Sequence, residues 1–480
     1  MHPGPETSEQ TESDAPTAGA PPPVGASDYL AFLAKKSPRA EASGFEPQDL
    51  PDHLFPFQSH VVRFLVRAGR AACFLDTGLG KGRIALQCLQ QCANHTKRPT
   101  LHVVPLMVAN QIVLEGKSLG YQIKSIRDET EIADGINVIN YDRLHLVNPQ
   151  SFCAISLDES DILASLTGAI ARKLIEDWSI VPYRFCFTAT PAPNDHTELG
   201  AHSEFLGVMR SMEMLSRWFI NDTSTASQEW RLKSHAVNPF WDWVASWARC
   251  AESPEDLGFD GSAFKLLPLQ IHNHRVSAEA KTFDGTLFGL DLSATSMHEA
   301  KRRTASSRAA LVAEIVGREP DEPWILWCDS DAEADALLSV IDAVEVRGSH
   351  SPEKKEAALT AFLEGHSKRL IAKPSASGKG LNLQICARMA FIGRSFSYRH
   401  WYQAVRRCWR FGQMRQVHVH LIVAEGEDQI SRVIDRKAAD HATMKRAMAD
   451  AMRRDNQANA GRMIKYQPNH QGKLPPWLTA

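Results

Sequence analysis

A glycine-rich turn that ends in a lysine is the first feature of the sequence with evident chemistry. The segment DTGLGKG (residues 76–82) lies between an apolar run, AACFL (71–75), and a helical pattern, RIALQCLQQ. Its glycines let backbone N–H groups point to one place, where the following helix adds its positive end. We therefore predict a phosphate-binding loop, with a purely steric glycine turn as the alternative. Its candidate residues are Thr77, Gly78, Leu79, Gly80, Lys81 and Gly82.

An acidic pair follows about 80 residues after this loop. The apolar run FCAISL (152–157) ends in Asp158 and Glu159, which a parallel sheet would place at the same edge as the glycine loop. Asp158 can hold Mg²⁺, and Glu159 can orient the water that attacks a phosphate. The alternative is a helix N-cap, because Ser160 follows the pair.

Hydroxyl and guanidinium groups complete the set. Thr188 and Thr190 end another apolar run, and Arg407 and Arg410 lie three residues apart on a predicted helix, after a second glycine-rich segment, SASGKGLNLQ (375–384). Two guanidiniums can stabilise the charge that develops on a transferred phosphate. The order of loop, acidic strand and hydroxyl strand is typical of a phosphate-hydrolysing domain.

Short β-rich runs alternate with helical patterns in two series, and these elements must position the candidate residues. The first series is 71–75, 100–105, 136–140, 152–160 and 183–190, and the second is 323–330, 343–349, 368–375, 387–393 and 417–423. Continuous apolar strands separated by helices indicate a parallel sheet covered on both faces. We predict an α/β fold with two tandem doubly wound parallel-sheet domains and a ligand cleft between them.

Changes in composition give the predicted boundaries. Residues 1–27 are rich in Pro, Glu, Ser, Thr and Gly, so we predict a disordered tail. The first domain is predicted at 28–200, an aromatic-rich linker or insertion at 201–300, the second domain at 301–430, and a basic helix and tail at 431–480.

The aromatic-rich segment contains three tryptophans at helical spacing, Trp241, Trp243 and Trp247. Aromatic residues at this spacing usually pack in a core. We therefore favour a buried cluster between domains over a platform for base stacking.

The C-terminal segment is predicted to be an amphipathic helix. Met444, Met448 and Met452 form an apolar stripe. Residues 436–465 contain eight Lys or Arg and three Asp. A solvated basic face is the favoured interpretation, and contact with a nucleic-acid backbone is the alternative.

Composition limits the possible partners. The formal net charge is −2 over 480 residues, so any contact with nucleic acid must come from local basic patches. The nine cysteines are scattered, and the pair Cys88 and Cys92 lacks further ligands, so we predict reduced core thiols and no metal site on cysteine. Without a signal peptide pattern or a run of about 20 apolar residues, a cytoplasmic protein with no membrane contact is expected.

As a set, these motifs resemble the superfamily-2 helicases, and within them the Swi/Snf-type DNA translocases and their compact phage and prophage relatives. The resemblance covers roughly residues 28–440. The matching segments are FPFQ (55–58), DTGLGKG (76–82), VVPLMVANQ (103–111), LDES (157–160), TATP (188–191), SGKGLNLQ (377–384) and QAVRRCWRFGQ (403–413).

The resemblance implies two RecA-like domains that bind ATP and Mg²⁺ between them, in a monomer that acts on DNA. Duplex DNA is favoured, and RNA is the alternative. The implied roles are adenine contact for Gln58, phosphate contact for Gly78, Gly80 and Lys81, metal binding for Asp158, and water activation for Glu159. They continue with coupling for Thr188, Thr190 and Gln403, the interdomain junction for Gly380 and Asn382, and arginine fingers for Arg407 and Arg410.

Two positions depart from the family pattern. Asp161 stands where the family often has a coupling histidine, which places the communication between hydrolysis and DNA in question more than hydrolysis. Gly82 stands where a serine or threonine hydroxyl normally binds magnesium. That hydroxyl is one ligand among about six, so its loss should weaken metal binding without abolishing it.

Three hypotheses follow. The first is a metal-dependent ATPase that acts as a helicase or translocase. The second is a protein that binds ATP and DNA, hydrolyses ATP poorly and uses the nucleotide as a conformational latch. The third, a small-molecule phosphotransferase, leaves Arg407 and Arg410 unexplained.

Overall fold

Two parallel β-sheets, each covered by helices, contain the candidate residues. The structure is a computed structural model that describes residues 38–164, 168–222, 229–276, 294–377, 382–395, 397–424 and 428–463. The predicted disordered tail, 1–27, lies outside these residues. The chain divides at Arg39 into two units, and every element named below lies in the second unit, Ala40–Ala480.

The first sheet and its helices occupy the chain up to residue 251. The strands are β1 (Arg70–Leu75), β2 (Thr100–Val104), β3 (Ile123–Ser125), β4 (Ile136–Asn140), β5 (Ala154–Asp158), β6 (Tyr183–Phe187), β7 (Phe219–Asp222), β8 (Glu229–Leu232) and β9 (Ala248–Ala251). The helices are α1 (Pro56–Ala68), α2 (Lys81–Thr96), α3 (Ala109–Ser118), α4 (Ala169–Asp177), α5 (Leu199–Leu206), α6 (Ser211–Trp218) and α7 (Val237–Trp247).

Strand order explains why distant residues meet. The first sheet has the order β3-β4-β2-β5-β6-β1-β9 with parallel pairs throughout, and β7 and β8 form a separate antiparallel pair. Cys73 of β1 and Asp158 of β5 both lie opposite Phe187 of β6. The carboxyl ends of these three neighbouring strands therefore share one edge of the sheet.

The second sheet begins with β10 and is also parallel. Its strands are β10 (Gln270–Val276), β11 (Trp324–Trp327), β12 (Val344–Val346), β13 (Arg369–Ala372), β14 (Arg388–Phe391) and β15 (His418–Ala424), in the order β10-β15-β14-β11-β13-β12. The helices are α8 (Ala294–Gly317), α9 (Asp331–Leu338), α10 (Pro352–Leu363), α11 (Pro374–Ser377), α12 (Tyr398–Val405) and α13 (Asp428–Met463). The predicted α/β fold with two doubly wound sheets is confirmed. We call the two sheets, with the helices that cover them, the first and second lobes.

The segment between the two predicted series contributes to both sheets. β9 extends the first sheet beside β1, and β10 forms an edge of the second sheet. Trp241, Trp243 and Trp247 of α7 are buried, as the packing interpretation predicted, but they lie in the core of the first lobe and not between domains. The boundaries proposed at 200 and 300 remain predictions. Short strands such as β9 gave no clear signal in the sequence.

The C-terminal helix α13 leaves the second lobe and packs on the first. Near its start, Ile434 packs with Tyr398 of α12. Further along, Met444, Met448 and Met452 are buried in the core of the first lobe. The predicted apolar stripe is confirmed, and the helix bridges the two lobes.

The basic side chains of α13 have a role that neither sequence interpretation anticipated. Arg454 pairs with Asp242 at 2.6 Å and Arg453 with Asp256 at 3.1 Å, both on the first lobe. In the same region Asp455 pairs with Arg249 of β9 at 3.2 Å, with both side chains buried. Several charged side chains of this helix therefore hold it to the first lobe through ion pairs and do not only face solvent.

All nine cysteines are buried with free thiols, in agreement with the predicted core role. Among the described residues, no helix is both long and apolar enough to cross a bilayer.

The ion pairs of α13 give a stability prediction. Arg249→Met should lower the free energy of unfolding by about 3–5 kcal/mol, because it removes one partner of a buried ion pair. Arg454→Met is the matched control: its pair with Asp242 is about half exposed, and its loss should change stability by less than about 1 kcal/mol. Urea unfolding followed by tryptophan fluorescence measures both. Equal losses in the two variants would contradict the prediction.

Candidate functional site

The glycine-rich loop connects the end of β1 to the start of α2. Gly78 and Gly80 have φ angles of 96° and 79°, in the left-handed region that favours glycine. A Cβ at Gly78 would lie 2.7 Å from the backbone N of Phe411, and one at Gly80 would lie 2.2 Å from Nε2 of Gln58. Both glycines are therefore required, by backbone conformation and by close neighbours.

Gly82 differs from the other two glycines of the loop. It lies in the first turn of α2, and a Cβ there would meet nothing within 4 Å. The site thus has room for a side chain at this position. The fold therefore does not require a glycine at Gly82 for steric reasons.

Lys81 begins α2 and points back to the end of β1. Its Nζ donates to the carbonyl oxygens of Leu75 at 3.0 Å and Asp76 at 3.3 Å. Burial lowers the pKa of Lys81, although the carboxylates of Glu159 and Asp76 oppose that shift. The cation is therefore held at the mouth of the loop, close to the acidic pair.

Asp158 and Glu159 lie at the carboxyl end of β5. Burial, together with the neighbouring charge of Glu159, raises the pKa of Asp158 to about 7. Burial also acts to raise the pKa of Glu159, but the cations Arg407 and Lys81 outweigh it and lower that pKa. Glu159 has a φ of 51°, a strained conformation that is often found at functional sites.

The second lobe brings two arginines to this edge. Arg407 pairs with Glu159 at 3.1 Å, and Arg410 lines the same cavity. The sequence predicted both on one helix face, which is wrong: α12 ends at Val405. After Val405 the backbone makes local turn bonds, such as Cys408 N to Val405 O at 3.2 Å, and Arg407 O accepts from the backbone N of Leu383 at 3.1 Å.

A cavity of about 370 Å³ lies where these groups converge. The candidate residues that line it are Gln58, Thr77, Gly78, Gly80, Lys81, Gly82, Asp158, Glu159, Asn382, Arg407 and Arg410. The structure therefore assembles most of the predicted site from both lobes. Leu79 points into the core instead, and Gly380 lies outside the described residues.

Aromatic rings form one wall of the cavity. Phe264 and Phe411 stack with ring centroids 4.4 Å apart, and Phe55 meets Phe264 edge-on at 5.1 Å. Beside them, Gln58 donates from Nε2 to Leu79 O at 3.1 Å. The wall offers apolar surface for a flat ring next to the phosphate loop.

Beside the cavity, the carboxylate of Asp161 joins the lobes. It accepts from Thr190 Oγ1 at 3.1 Å, from Gln403 Nε2 at 3.2 Å and from Arg399 at 2.8 Å. Thr188 completes the group by accepting from the backbone N of Thr190 at 3.1 Å. Asp161 is thus a buried bridge between the acidic strand, the hydroxyl strand and α12 of the second lobe.

Several contacts of this region were not predicted from the sequence. Tyr402 and Arg406, just before the predicted fingers, and Lys445 of α13 all reach the Asp76 carboxylate. Arg399 had no motif to mark it, since its role depends on Asp161 across the lobe boundary. Such contacts follow from the packing of the lobes, which a linear pattern does not encode.

The donor set fits a nucleotide with a divalent cation. The N-cap of α2 is Gly80, which has no side chain to occupy the positive end of the helix. Nε of Arg410 is buried without a hydrogen-bond partner among the described residues. A cradle of glycines, a buried arginine Nε without a described partner and a buried carboxylate pair suit a polyphosphate with Mg²⁺.

Part of the second lobe matches a known protein family. Residues 307–412 match the family described as the helicase conserved C-terminal domain. The curated protein "Transcriptional regulator ATRX homolog" of Drosophila melanogaster is 26% identical over 141 residues, which are 28% of this chain and 11% of that protein. The chain thus spans only a small part of that relative's length.

Structure comparison extends over both lobes. S. cerevisiae Dbp5, bound to RNA and ADP BeF3, aligns with a TM-score of 0.52 and 11% identity, over 83% of this chain and 93% of that chain. The Sulfolobus solfataricus SWI2/SNF2 ATPase core in complex with dsDNA aligns at a TM-score of 0.40 and 15% identity, over 84% and 96%. The Dbp5 likeness concerns the fold alone, with tandem RecA-like sheets. The chain therefore contains a region similar to the helicase conserved C-terminal domain, at residues 307–412, and shares a 26% identical segment with the ATRX homolog.

Proposed function

We propose that this protein hydrolyses ATP in the cleft between its lobes and uses the energy to move along nucleic acid, with duplex DNA as the favoured polymer. One observation carries the proposal. Lys81, Asp158 and Glu159 of the first lobe and Arg407 and Arg410 of the second converge on one cavity. Phosphoryl transfer needs this combination of positioning and charge stabilisation.

ATP would lie with its base against the wall of Phe55, Phe264 and Phe411, and its phosphates over Gly78 to Lys81. The cavity of about 370 Å³ is lined by both regions. Asp158 would hold Mg²⁺, which supplies positive charge to the phosphate oxygens. A cation there would also favour the ionised form of Asp158, whose pKa is raised to about 7 by burial and by Glu159.

Glu159 would orient the attacking water and accept its proton. In the structure its carboxylate pairs with Arg407 at 3.1 Å. A γ-phosphate in the cavity would compete for that guanidinium. Nucleotide binding would thus free Glu159 to act as a base while Arg407 turns to the phosphate charge.

Coupling to nucleic acid would pass through Asp161. Its carboxylate contacts Thr190 in the first lobe and Gln403 and Arg399 in the second. Lobe movement would therefore change the surroundings of the residue two positions after Glu159. The ion pair with Arg399 would replace the contact made by the family's usual histidine.

The choice of polymer rests on resemblance. The motif set resembles Swi/Snf-type translocases, which favours duplex DNA, whereas the Dbp5 structure contains RNA. The net charge of −2 gives no general attraction to either. Contacts would be made to phosphates and would be largely independent of sequence.

The central prediction concerns Lys81. Turnover of ATP by the purified chain should require Mg²⁺ and rise with duplex DNA. Lys81→Ala should lower this turnover by about 100-fold or more, because a preorganised phosphate contact is lost. Parallel assays with single-stranded DNA, duplex DNA, RNA and no polymer identify the partner. A strand-displacement assay separates unwinding from translocation along duplex. Unchanged turnover in Lys81→Ala, with a normal circular dichroism spectrum, would reject the assignment.

A nucleotide-controlled latch with poor hydrolysis is the second candidate, and Gly82 favours it. For an active enzyme, Gly82→Thr should lower the Mg²⁺ concentration for half-maximal activity and change maximal turnover by less than about threefold, since one ligand in about six is restored. Gly82→Val has the same shape without the hydroxyl and is the matched control. A rise of more than about tenfold in Gly82→Thr alone would instead support a natively impaired site.

The coupling proposal is tested by Arg399. Arg399→Met should lower the ratio of polymer-stimulated to unstimulated turnover by about tenfold, because Asp161 loses a charged partner across the lobe boundary. Arg399→Lys keeps the charge and should retain most of the ratio. If both turnover values fall equally in Arg399→Met, the ion pair supports structure without coupling.

A further inference from the structure

The Asp76 carboxylate, at the first residue of the phosphate loop, is a meeting point of three parts of the chain. Its own loop contributes the backbone N–H of Thr77, at 2.7 Å. The second lobe contributes the hydroxyl of Tyr402 and the guanidinium of Arg406, the latter at 3.0 Å. The C-terminal helix contributes Lys445, whose Nζ lies 3.7 Å away.

Asp76 and Lys445 are buried, and the charges around them are balanced with the help of the half-exposed Glu252. Asp76 is 8% exposed and Lys445 3% exposed. Lys445 also pairs with Glu252 at 3.4 Å, so two carboxylates face two cations. Burial alone would raise the pKa of Asp76, but Lys445 and Arg406 outweigh it and hold that pKa well below its usual range.

Asp76 also fixes the conformation of the phosphate loop. Its backbone N donates to Ala251 O of β9 at 2.8 Å, and its carbonyl accepts from Lys81 Nζ at 3.3 Å. Arg406 adds a bond to the carbonyl of Thr77 at 2.7 Å. A change in the partners of Asp76 therefore acts directly on the residues that would hold phosphate.

The two cations belong to parts of the molecule that separate if the lobes open. Lys445 lies between Met444 and Met448, which are buried in the first core. α13 also contacts α12 of the second lobe, where Ile434 packs on Tyr398 and His441 packs on Tyr398 and Tyr402, but its buried methionines lie in the first core. Lys445 therefore stays with Asp76 when the second lobe moves. Arg406 is adjacent to Arg407 and leaves with it.

We propose that Lys445 is the resident counterion of Asp76 and Arg406 the exchangeable one, so that the C-terminal helix controls how readily the second lobe leaves the phosphate loop. In the closed state both cations lie beside the Asp76 carboxylate and repel each other, although Glu252 also pairs with Lys445. In the open state that repulsion is relieved, and Lys445 alone neutralises Asp76. Lys445 is thus a positioning residue that favours opening.

Opposite effects of the two cations follow from this arrangement. Without Lys445, the closed state loses a like-charge repulsion, and the open state loses the only cation on Asp76. Both changes favour closure. The hydrogen bond from Lys445 to Tyr402, at 3.2 Å, opposes this effect but involves a neutral hydroxyl. Without Arg406, the closed state loses an ion pair, and the lobes should open.

The test uses the full chain with fluorophores at two exposed positions, Lys117 on α3 and Glu356 on α10. Energy transfer in the absence of nucleotide gives the ratio of closed to open molecules. Lys445→Met should raise this ratio and Arg406→Gln should lower it, each by about tenfold, as expected for a buried carboxylate that loses one of two cations. Dissociation of a fluorescent ATP analogue should slow in the first variant and accelerate in the second.

Matched variants separate this role from general support of the fold. Arg446 is the exposed neighbour of Lys445, and among the described residues its hydrogen bonds stay within its own helix, so Arg446→Met should leave the ratio unchanged. Lys445→Arg should keep most of the wild-type ratio. In an Asp76→Asn background, Lys445→Met should have little further effect, because the shared charge is gone.

Shifts of the same sign in Lys445→Met and Arg406→Gln would overturn the proposal, as would an undiminished effect of Lys445→Met in the Asp76→Asn background. The relevance of the switch to turnover rests on the proposed function, but the lobe ratio is measured without hydrolysis. Opposite shifts in a chain that never turns over ATP would support the switch and reject the proposed function. Normal turnover in variants with unaltered lobe ratios would support the proposed function and reject the switch.

Discussion

Buried carboxylates at the edge of the first sheet require cations that the second lobe supplies. Glu159 takes Arg407, Asp161 takes Arg399 and Asp76 takes Arg406. All three arginines come from α12 or the turn that follows it. An uncompensated charge in such a place is strongly unfavourable. Closure of the lobes is therefore favoured by the charges of the first sheet as well as by shape.

The same constraint links catalysis to movement in the proposed function. Each of these three carboxylates lies beside a group with a proposed role in phosphate binding, water activation or coupling. A ligand that competes for one arginine changes the balance at the others, because all three arginines lie within residues 399–407. Such a set of paired contacts has discrete arrangements, and this property lets a local event bias the position of a whole lobe.

Local patterns predicted the sheets and the convergence of motifs, because both depend on short-range order. Apolar runs such as 71–75 and 183–190 became neighbouring strands, and parallel pairing then brought Lys81 and Glu159 to one edge. Features that depend on packing between distant segments were missed. Lys445 is more than 360 residues from Asp76 in the sequence, and nothing in a basic amphipathic helix indicates a partner. The helix expected to carry both fingers also ended early, at Val405, and the carbonyl of the next-but-one residue, Arg407, bonds to the backbone of Leu383.

The return of α13 to the first lobe has a consequence for biosynthesis. Strand β9 is an edge of the first sheet, and its Cys250 N–H donates to the sulfur of Met452 at 2.9 Å. A ribosome completes the rest of the first lobe some 200 residues before it makes that methionine. During this interval the sheet edge and the apolar surface beside it are uncovered, a state prone to unwanted strand pairing. The nascent chain would need protection until the final helix emerges.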